Sequence, residues 1–460
     1  MAFLIGGANS AADTGYTVAN SCRFDSASSD TLTQTQSTAT SDTIGTFSVW
    51  MKASSTAATR AVFSGQEDSN NRIALYFSDT LRIYGAVGGS QTVYLITNQF
   101  FRDFSAWYHV VIAWDTTQGT AANRMKVYVN GSQITSWSTE TYPTEDSDIY
   151  WNKGSNLDIG ARRISSVQDY YDGYLAETVF VDGQQLAPTS FGEFDEDSPT
   201  IWKPIDVSGL TFGNNGFYLD FEDSGDLGDD ESGNTNDFTE TNIAAIDQAT
   251  DTPTNNFCTL NPLVGNLDSS LAYSDGNLKV VTSVAGNAPS TFGVSSGKWY
   301  WEQKVTSSNG YVAICNDDGY NTAASVSGSG SGSVGYFGSG EIFDEAGSAI
   351  GSLTTFTTND IMGVHLNMDD GTIVWYKNGT EVSGSTYTFG TTGNGTLFGT
   401  AYPCWNGGGT AARSAEFNFG GCSVSAISSG NADANGYGNF EYAVPSGFYA
   451  LNSKNLAEYG

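Results

Sequence analysis

Apolar and polar residues alternate in short runs along most of the chain. Phe47-Ser-Val-Trp-Met-Lys52, Arg72-Ile-Ala-Leu-Tyr-Phe77, Trp107-Tyr-His-Val-Val-Ile-Ala-Trp114 and Lys126-Val-Tyr-Val129 each send every second side chain to one face. That two-residue period is the mark of a strand with one face buried. Turn residues separate the runs. Asn130-Gly131 and Asn378-Gly379 are the sharpest, because a two-residue hairpin needs positive φ at both central positions and Asn-Gly adopts it readily. The two hairpins look like counterparts. Ile112-Ala-Trp-Asp115 precedes Met125-Lys-Val-Tyr-Val-Asn-Gly131 in the first half, as Ile361-Met-Gly-Val-His-Leu366 precedes Thr372-Ile-Val-Trp-Tyr-Lys-Asn-Gly379 in the second. Both halves are therefore expected to carry one type of antiparallel sandwich. The only short-helix candidate is Thr241-Asn-Ile-Ala-Ala-Ile-Asp247, so the fold class is all-β with very little helix.

The segment Asp247-Gln-Ala-Thr-Asp-Thr-Pro-Thr-Asn-Asn256 is polar, contains proline and follows neither period, which marks a domain boundary. The expected division is an N-terminal docking arm at 1–20, a first sandwich at 21–240, a linker at 241–265, a second sandwich at 266–421, and a C-terminal extension at 422–460 packing on the second sandwich. Ser325 to Ser333 and Ser429 to Asn439 are low in complexity and read as flexible loops.

Composition narrows the function. Of 460 residues, 54 are glycine and only 15% are charged, which suits many strands and tight turns, while 39% hydrophobic residues supply the cores. The 50 acidic residues against 18 basic give a net charge of −32. That field repels phosphate backbones and anionic membranes, so nucleic acid is not an expected partner. No apolar run approaches the roughly 18 residues of a membrane span, so no membrane insertion is expected. Met1-Ala-Phe-Leu-Ile-Gly-Gly7 lacks a basic leader and a long apolar region, so the expectation is a cytoplasmic product that reaches its place without a signal peptide. Cys22, Cys258, Cys315, Cys404 and Cys422 form no C-x-x-C pair and leave one odd. Neither a zinc site nor a disulfide framework is implied.

Candidate chemistry is sparse. Glycan hydrolysis needs two carboxylates flanking the scissile bond, and the alternating Glu193, Asp195 and Asp197 of Glu193-Phe-Asp-Glu-Asp197 sit among turn residues, as a solvated loop would. A hydrolytic triad needs a free histidine base, but His109 and His365 both lie inside strand runs, His365 on the face opposite Val364 and Leu366. Gly328-Ser-Gly-Ser-Gly332 spells a nucleophile elbow without its strand-to-helix context. No enzyme is expected. The cofactor expectation is none, with calcium as the alternative, because Asp229, Asp230, Asn234 and Asp237 crowd one loop with hard oxygen ligands. Sugar recognition would draw on loop aromatics that stack on pyranose faces. The candidates are Trp151, Tyr170 and Tyr171 in the first half, with Tyr320, Trp405 and the neighbouring Asn406 in the second.

From Ser21 to about Glu240 the chain resembles a laminin-G or concanavalin-A-like jelly roll, on Cys22-Arg-Phe-Asp25, Phe47 to Lys52, Trp107 to Ile112, Val127-Tyr-Val-Asn-Gly131, Leu157-Asp-Ile-Gly160 and Tyr171-Asp-Gly-Tyr-Leu-Ala-Glu177. Phe217-Tyr-Leu-Asp-Phe221, with the following Asp230-Glu-Ser-Gly-Asn-Thr-Asn-Asp237, resembles that family's opening strand and turn but lies at the end of the domain. A circularly permuted sandwich, closed by its last strand, is the implication. From about Asn266 to Gly421 the chain is similar to the SPRY domain, on Gly297-Lys-Trp-Tyr-Trp-Glu302, Gly310-Tyr-Val-Ala-Ile314, Asp360 to Leu366, Val374-Trp-Tyr-Lys-Asn-Gly379 and Glu416-Phe-Asn-Phe-Gly420. The whole arrangement resembles bacteriophage virion proteins of lectin-like or tail-fibre-like type. That resemblance implies a non-enzymatic protein of the virion surface, a tail fibre or receptor-binding component recognising host-surface glycan or protein. The alternatives are a capsid decoration or head-fibre protein, and a glycan hydrolase. It also implies other virion proteins as partners and, by analogy, a homo-oligomer such as a trimer.

Overall fold

The structure, a computed structural model, describes residues 15–55, 59–154, 156–263, 271–283, 286–307, 310–320, 332–389, 399–407 and 413–460. Strands dominate. The α-helices among the described residues are short, Ala121–Arg124, Asp317–Tyr320 and Ser453–Tyr459. The chain forms two compact units whose boundary in sequence falls between Thr254 and Asn255.

In the first unit one sheet runs in the order Ser132–Gln133, Met125–Val129, Tyr108–Asp115, Ile44–Ala53, Gly173–Asp182, Ser21–Phe24 and Gln248–Ala249. The other contains Trp137–Thr141, Ser90–Thr97, Leu81–Val87, Asn71–Phe77, Ala61–Asp68, Asn156–Ile159, Thr31–Thr35 and Thr239–Thr241. Alternation fills the space between them: Phe47, Val49 and Met51 from one sheet share a core with Phe63, Ile73, Leu75 and Ile83 from the other. The rings of Phe47 and Phe63 stack at 4.2 Å.

The alternate residues of the central strand are also covered. Ser48, Trp50 and Lys52 are buried, because the chain after Asp182 folds back over this face and forms a second cluster from Val111, Val179, Val181, Phe191, Val207 and Phe212. Phe217–Leu219 pairs with Thr178–Phe180 and continues the edge on which Ser21–Phe24 pairs with Gly173–Leu175. Phe217–Leu219 therefore belongs to the first sandwich, with Thr239–Thr241 and Gln248–Ala249 following it in the chain as edge strands.

The stretch expected to be a linker, 241–265, is built into the two units as far as Leu263. Its helix candidate makes a single 3-10 turn, Ala245–Asp247. Gln248–Ala249 pairs with Ser21–Cys22, Asp247 pairs with Arg23 at 2.9 Å, and Asp251 takes Lys52 Nζ at 2.7 Å and the Trp107 indole N–H at 3.1 Å. Beyond the boundary, the Cys258 N–H bonds the Leu451 carbonyl and the Leu260 N–H bonds that of Asn277. The polarity that suggested a solvated connection is consumed by buried partners.

The large sheet of the second unit runs Thr380–Glu381, Thr372–Lys377, Ile361–Asn367, Lys298–Val305, Arg413–Asn418, Lys279–Thr282 and Ala272–Ser274; its first six strands repeat the first unit's order, while the edge strand comes first in the chain instead of last. Trp299 lies opposite Leu366 and Trp301 opposite Val364, and all four are fully buried. The hairpins match too. Asn130 and Gly131 have φ of 46° and 75°, Asn378 and Gly379 48° and 77°. In each, the Asn amide oxygen accepts a backbone N–H from the next strand, that of His109 at 2.8 Å or Ile361 at 2.9 Å. Gly131 is doubly required, since a Cβ there would lie 2.4 Å from the Trp202 ring. All five cysteines are buried.

The C-terminal extension covers the outer face of this sheet. Tyr449–Ala450 pairs in parallel with Trp299–Tyr300, and Phe440 and Phe448 join a cluster with Tyr300 and Phe257. Ser429 to Asn439, expected to be a flexible loop, is held in place. The buried Asp433 accepts the N–H groups of Asn435, Tyr437 and Ala450 and the amide of Asn455, so one carboxylate organises a segment whose composition suggested freedom. Of the other low-complexity stretch, 325–331 lies outside the described residues and Ser333 starts a strand. Residues 1–14 of the arm also lie outside them, whereas Tyr16 and Val18 are seated on the first sandwich through Glu177 and Thr254.

Replacing Asp251 by Ala would remove the carboxylate paired with the buried Lys52 ammonium. We expect a loss of about 3–5 kcal/mol from the first unit, measured by urea unfolding, whereas Asp79→Ala, which removes the exposed pair with Arg102, should cost about 1 kcal/mol or less.

Candidate binding site

His109 forms the group that most resembles catalytic machinery. Its Nδ1 accepts the Trp202 indole N–H at 2.8 Å, and its Nε2 lies 2.8 Å from Ser48 Oγ. An indole N–H only donates, so in the neutral ring the proton resides on Nε2 and is donated to the serine. A serine nucleophile needs the opposite polarity, a histidine nitrogen free to take its proton. Burial pushes the His109 pKa down to about 3; the Trp50 ring stacks on it at 4.7 Å, and Trp202 lies beside it with ring centroids 6.0 Å apart. The group fastens the strand carrying Trp202 to the sheet. His365 is also buried, stacked on Tyr376 at 3.8 Å and near Phe448, with its pKa lowered by burial to about 4. It occupies the outer face of the sheet, as its alternation indicated.

The acidic run does not form a cleft. Its strand is only Gly192–Phe194, so Asp195 starts a turn in which it accepts the N–H groups of Asp197 and Ser198. Lys203 pairs with Glu193 at 3.3 Å and with Asp195 at 3.4 Å.

Four of the aromatic and amide candidates are corrected by their burial. Trp151 packs at 5.5 Å from both Phe63 and Trp114, Tyr171 belongs to the same core, and Trp405 and Asn406 are at most 1% exposed. The glycines after Asn406 suggested a loop, but Tyr402–Asn406 is an interior strand, paired with Tyr311–Cys315 on one side and Asn287–Pro289 on the other. Tyr170 and Tyr320 are half-buried. The Tyr170 hydroxyl donates to the Val167 carbonyl at 3.3 Å, and the Tyr320 ring packs at 4.2 Å from Tyr402 while its hydroxyl accepts from Asn261.

The proposed calcium loop spends its ligands internally. Asp230 accepts the N–H groups of Tyr218, Ser232 and Asn236 and the Ser232 hydroxyl. Asp237 accepts the Asp230 N–H, and the Asn234 amide donates to the carbonyls of Gly213 and Gly216. Asp229 is exposed, its carboxyl raised by partial burial and by Asp237, Asp226 and Asp223. Among the described residues no group of three or more His, Cys, Asp or Glu could hold a metal ion.

A pocket of about 300 Å³ opens in the second unit between the outer face of the large sheet and the segment 423–428. Glu302, Lys304, Ile361, Glu416, Asn418 and Ser425 are among its lining. Glu302 is an anchored acceptor. One oxygen takes the Tyr300 hydroxyl and the Tyr442 N–H, the other the Glu441 N–H at 2.9 Å, and burial pushes its carboxyl up. Lys304 Nζ donates to Ser425 Oγ at 2.7 Å, and that hydroxyl donates to Glu416 at 2.6 Å. The pocket offers hydrogen-bonding edges beside the apolar Ile361, Val424 and Ile427, the mixed polar and apolar lining common to ligand sites. The sequence carried part of the signal, since Glu302, Lys304, Glu416 and Asn418 are outward alternants of adjacent strands. That 423–428 would cover them is a matter of tertiary folding.

Residues 25–186 match the Concanavalin A-like lectin/glucanases superfamily and residues 298–421 the SPRY domain. The protein is therefore a two-domain β-sandwich protein, with a concanavalin-A-like domain followed by a SPRY domain. Similar solved structures include the SPRY domain of human HERC1, at 17% identity and TM-score 0.28, covering 34% of this chain and 94% of that one. A heptameric SAP-like pentraxin from Limulus polyphemus is similar at 19% identity and TM-score 0.30, covering 37% and 80%. A putative carbohydrate binding protein from Bacteroides ovatus is similar at 14% identity and TM-score 0.32, covering 50% and 60%. A search of curated proteins gave no match. No helix among the described residues is long and apolar enough to cross a membrane.

His109 and Glu177 pull stability in opposite pH directions. The folded pKa of His109 lies below its unfolded value of 6.5, so its contribution is complete above pH 6.5 and is lost as pH falls toward 3. Burial raises Glu177 from 4.5 to about 7, so its contribution is complete below pH 4.5 and is lost as pH rises through 7. Subtracting the melting profile of His109→Gln from that of the wild type should leave a difference that declines from pH 6.5 to 3; a flat difference would refute the assignment.

Proposed function

We propose that the protein is a non-catalytic binding component of a bacteriophage particle, a tail fibre or receptor-binding protein that holds host-surface glycan or protein. The observation that carries the binding role is the pocket under 423–428, of ligand size and lined by anchored acceptors. The Ser48–His109 pair supports the same reading, because its proton lies on the wrong partner for nucleophilic attack. Support for the particle comes from the resemblance of nearly the full length to lectin-like virion proteins. Two rigid sandwiches present many loops, and repeated display on a particle multiplies weak single-site affinity.

The test is immunogold microscopy of particles assembled from a genome encoding this chain, with copy number by quantitative mass spectrometry. Label on the tail at a few oligomers per particle is the expected result. Hundreds of copies on the head would favour capsid decoration, and absence from purified particles would overturn both. Release of product from polysaccharide, lost in Glu193→Gln, would establish the hydrolase instead.

A further inference from the structure

The pocket under 423–428 already holds a hydroxyl. Lys304 Nζ donates to Ser425 Oγ at 2.7 Å, and the same Oγ donates to Glu416 at 2.6 Å. Register places Lys304 opposite Glu416 on the neighbouring strand, with Ile361 beyond Lys304 and Lys279 beyond Glu416 in one row. The sheet itself therefore sets an ammonium and a carboxylate side by side. A hydroxyl suits such a pair, because its oxygen accepts from the one and its proton goes to the other, and charge on each partner strengthens both bonds. Lys279 Nζ stands 3.9 Å from the same carboxylate.

Much of the remaining polar lining is bound into the scaffold. Glu302 is filled by Tyr300, Glu441 and Tyr442. The Asn418 amide donates to the Asn439 carbonyl while its oxygen accepts the Gly420 N–H, and Glu441 accepts the N–H and the hydroxyl of Ser428. The segment that supplies Ser425 is different in kind. Residues 423–428 form neither strand nor helix, Ala426 and Ser428 are exposed, and Ser425 is half-buried. A surface segment of this kind opens at lower cost than a strand of the sheet beneath it. The hydroxyl between Lys304 and Glu416 is thus carried by the part of the site that can move away, whereas the two charged groups are carried by the part that cannot.

We propose that Ser425 holds the place of a ligand hydroxyl, and that the pocket binds a neutral sugar residue whose own hydroxyl displaces it between Lys304 and Glu416. The exchange conserves both charge-assisted bonds. An acidic sugar would set its carboxylate against Glu416 and Glu441, and an amino sugar its ammonium against Lys304. The C–H surface of the ring lies against Ile361, Val424 and Ile427, and the volume of about 300 Å³, at the lower end of ligand sites, suits a single residue of a glycan. The proposal rests on the binding role stated above and names the ligand class and the pair that selects it.

Saturation-transfer NMR titrations of the full chain with glucose, galactose, mannose, glucuronate and glucosamine, each alone, test it. Binding of at least one of the three neutral hexoses, in preference to glucuronate and glucosamine, is expected. Lys304→Met and Glu416→Ala should each weaken it about tenfold, with no change in Lys126→Gln, in the first unit. Ser425→Ala should bind the hexose about fivefold more tightly, because the internal competitor is gone. That gain is the deciding readout, since a variant that merely folds less well loses affinity. Unchanged or weaker binding in Ser425→Ala, undiminished binding in Lys304→Met, preference for glucuronate or glucosamine, or no binding of any hexose would overturn the site. Because the titration needs no particle, absence from virions would remove the functional reading and leave this result standing, while a tail location without hexose binding would leave that reading with a protein ligand.

Discussion

The first unit depends on the burial of Lys52 against Asp251. Lys52 lies on the central strand Ile44–Ala53, and Asp251 on the last segment before the boundary, which also receives the Trp107 indole N–H. A buried cation without its partner is costly, so the end of the domain must return to its centre. Arg23 and Asp247 repeat the device one strand away. What composition presents as a polar tether therefore finishes the sandwich, and the boundary between the units falls within the aperiodic segment 247–256, between Thr254 and Asn255.

Elsewhere in the fold, single polar groups act as organising points. Asp230 gathers the turn after Phe217–Leu219, Asp433 gathers the C-terminal extension, Glu302 joins that extension to the large sheet, and His109 ties Trp202 to Ser48. Buried polar atoms must find partners, and these residues meet that demand with several bonds each. The same bonds explain why residues that resembled metal ligands or a catalytic base are tied to the scaffold.

The two sandwiches share a strand order and a hairpin whose Asn turns the chain and tethers the neighbouring strand. They differ in what covers the outside of the shared sheet. In the first unit it is the chain after Asp182; in the second it is the C-terminal extension. Where that cover lies over polar alternants instead of apolar ones, as 423–428 lies over Glu302 and Lys304, it leaves a pocket.

Alternation along the runs was enough to determine the all-β class, the Asn-Gly hairpins, the inward set Phe47, Val49 and Met51, the inward Trp299 and Trp301, and the outer-face place of His365, because a two-residue period and positive φ are properties of local sequence. Tertiary structure alone decided that Ser48, Trp50 and Lys52 would be covered as well, that Trp405 and Asn406 lie in an interior strand, and that Asp230 and Asp433 are filled by backbone donors. Each of those outcomes depends on which distant segment packs against a given face. A period of two assigns a side chain to a face but does not say what will lie against it.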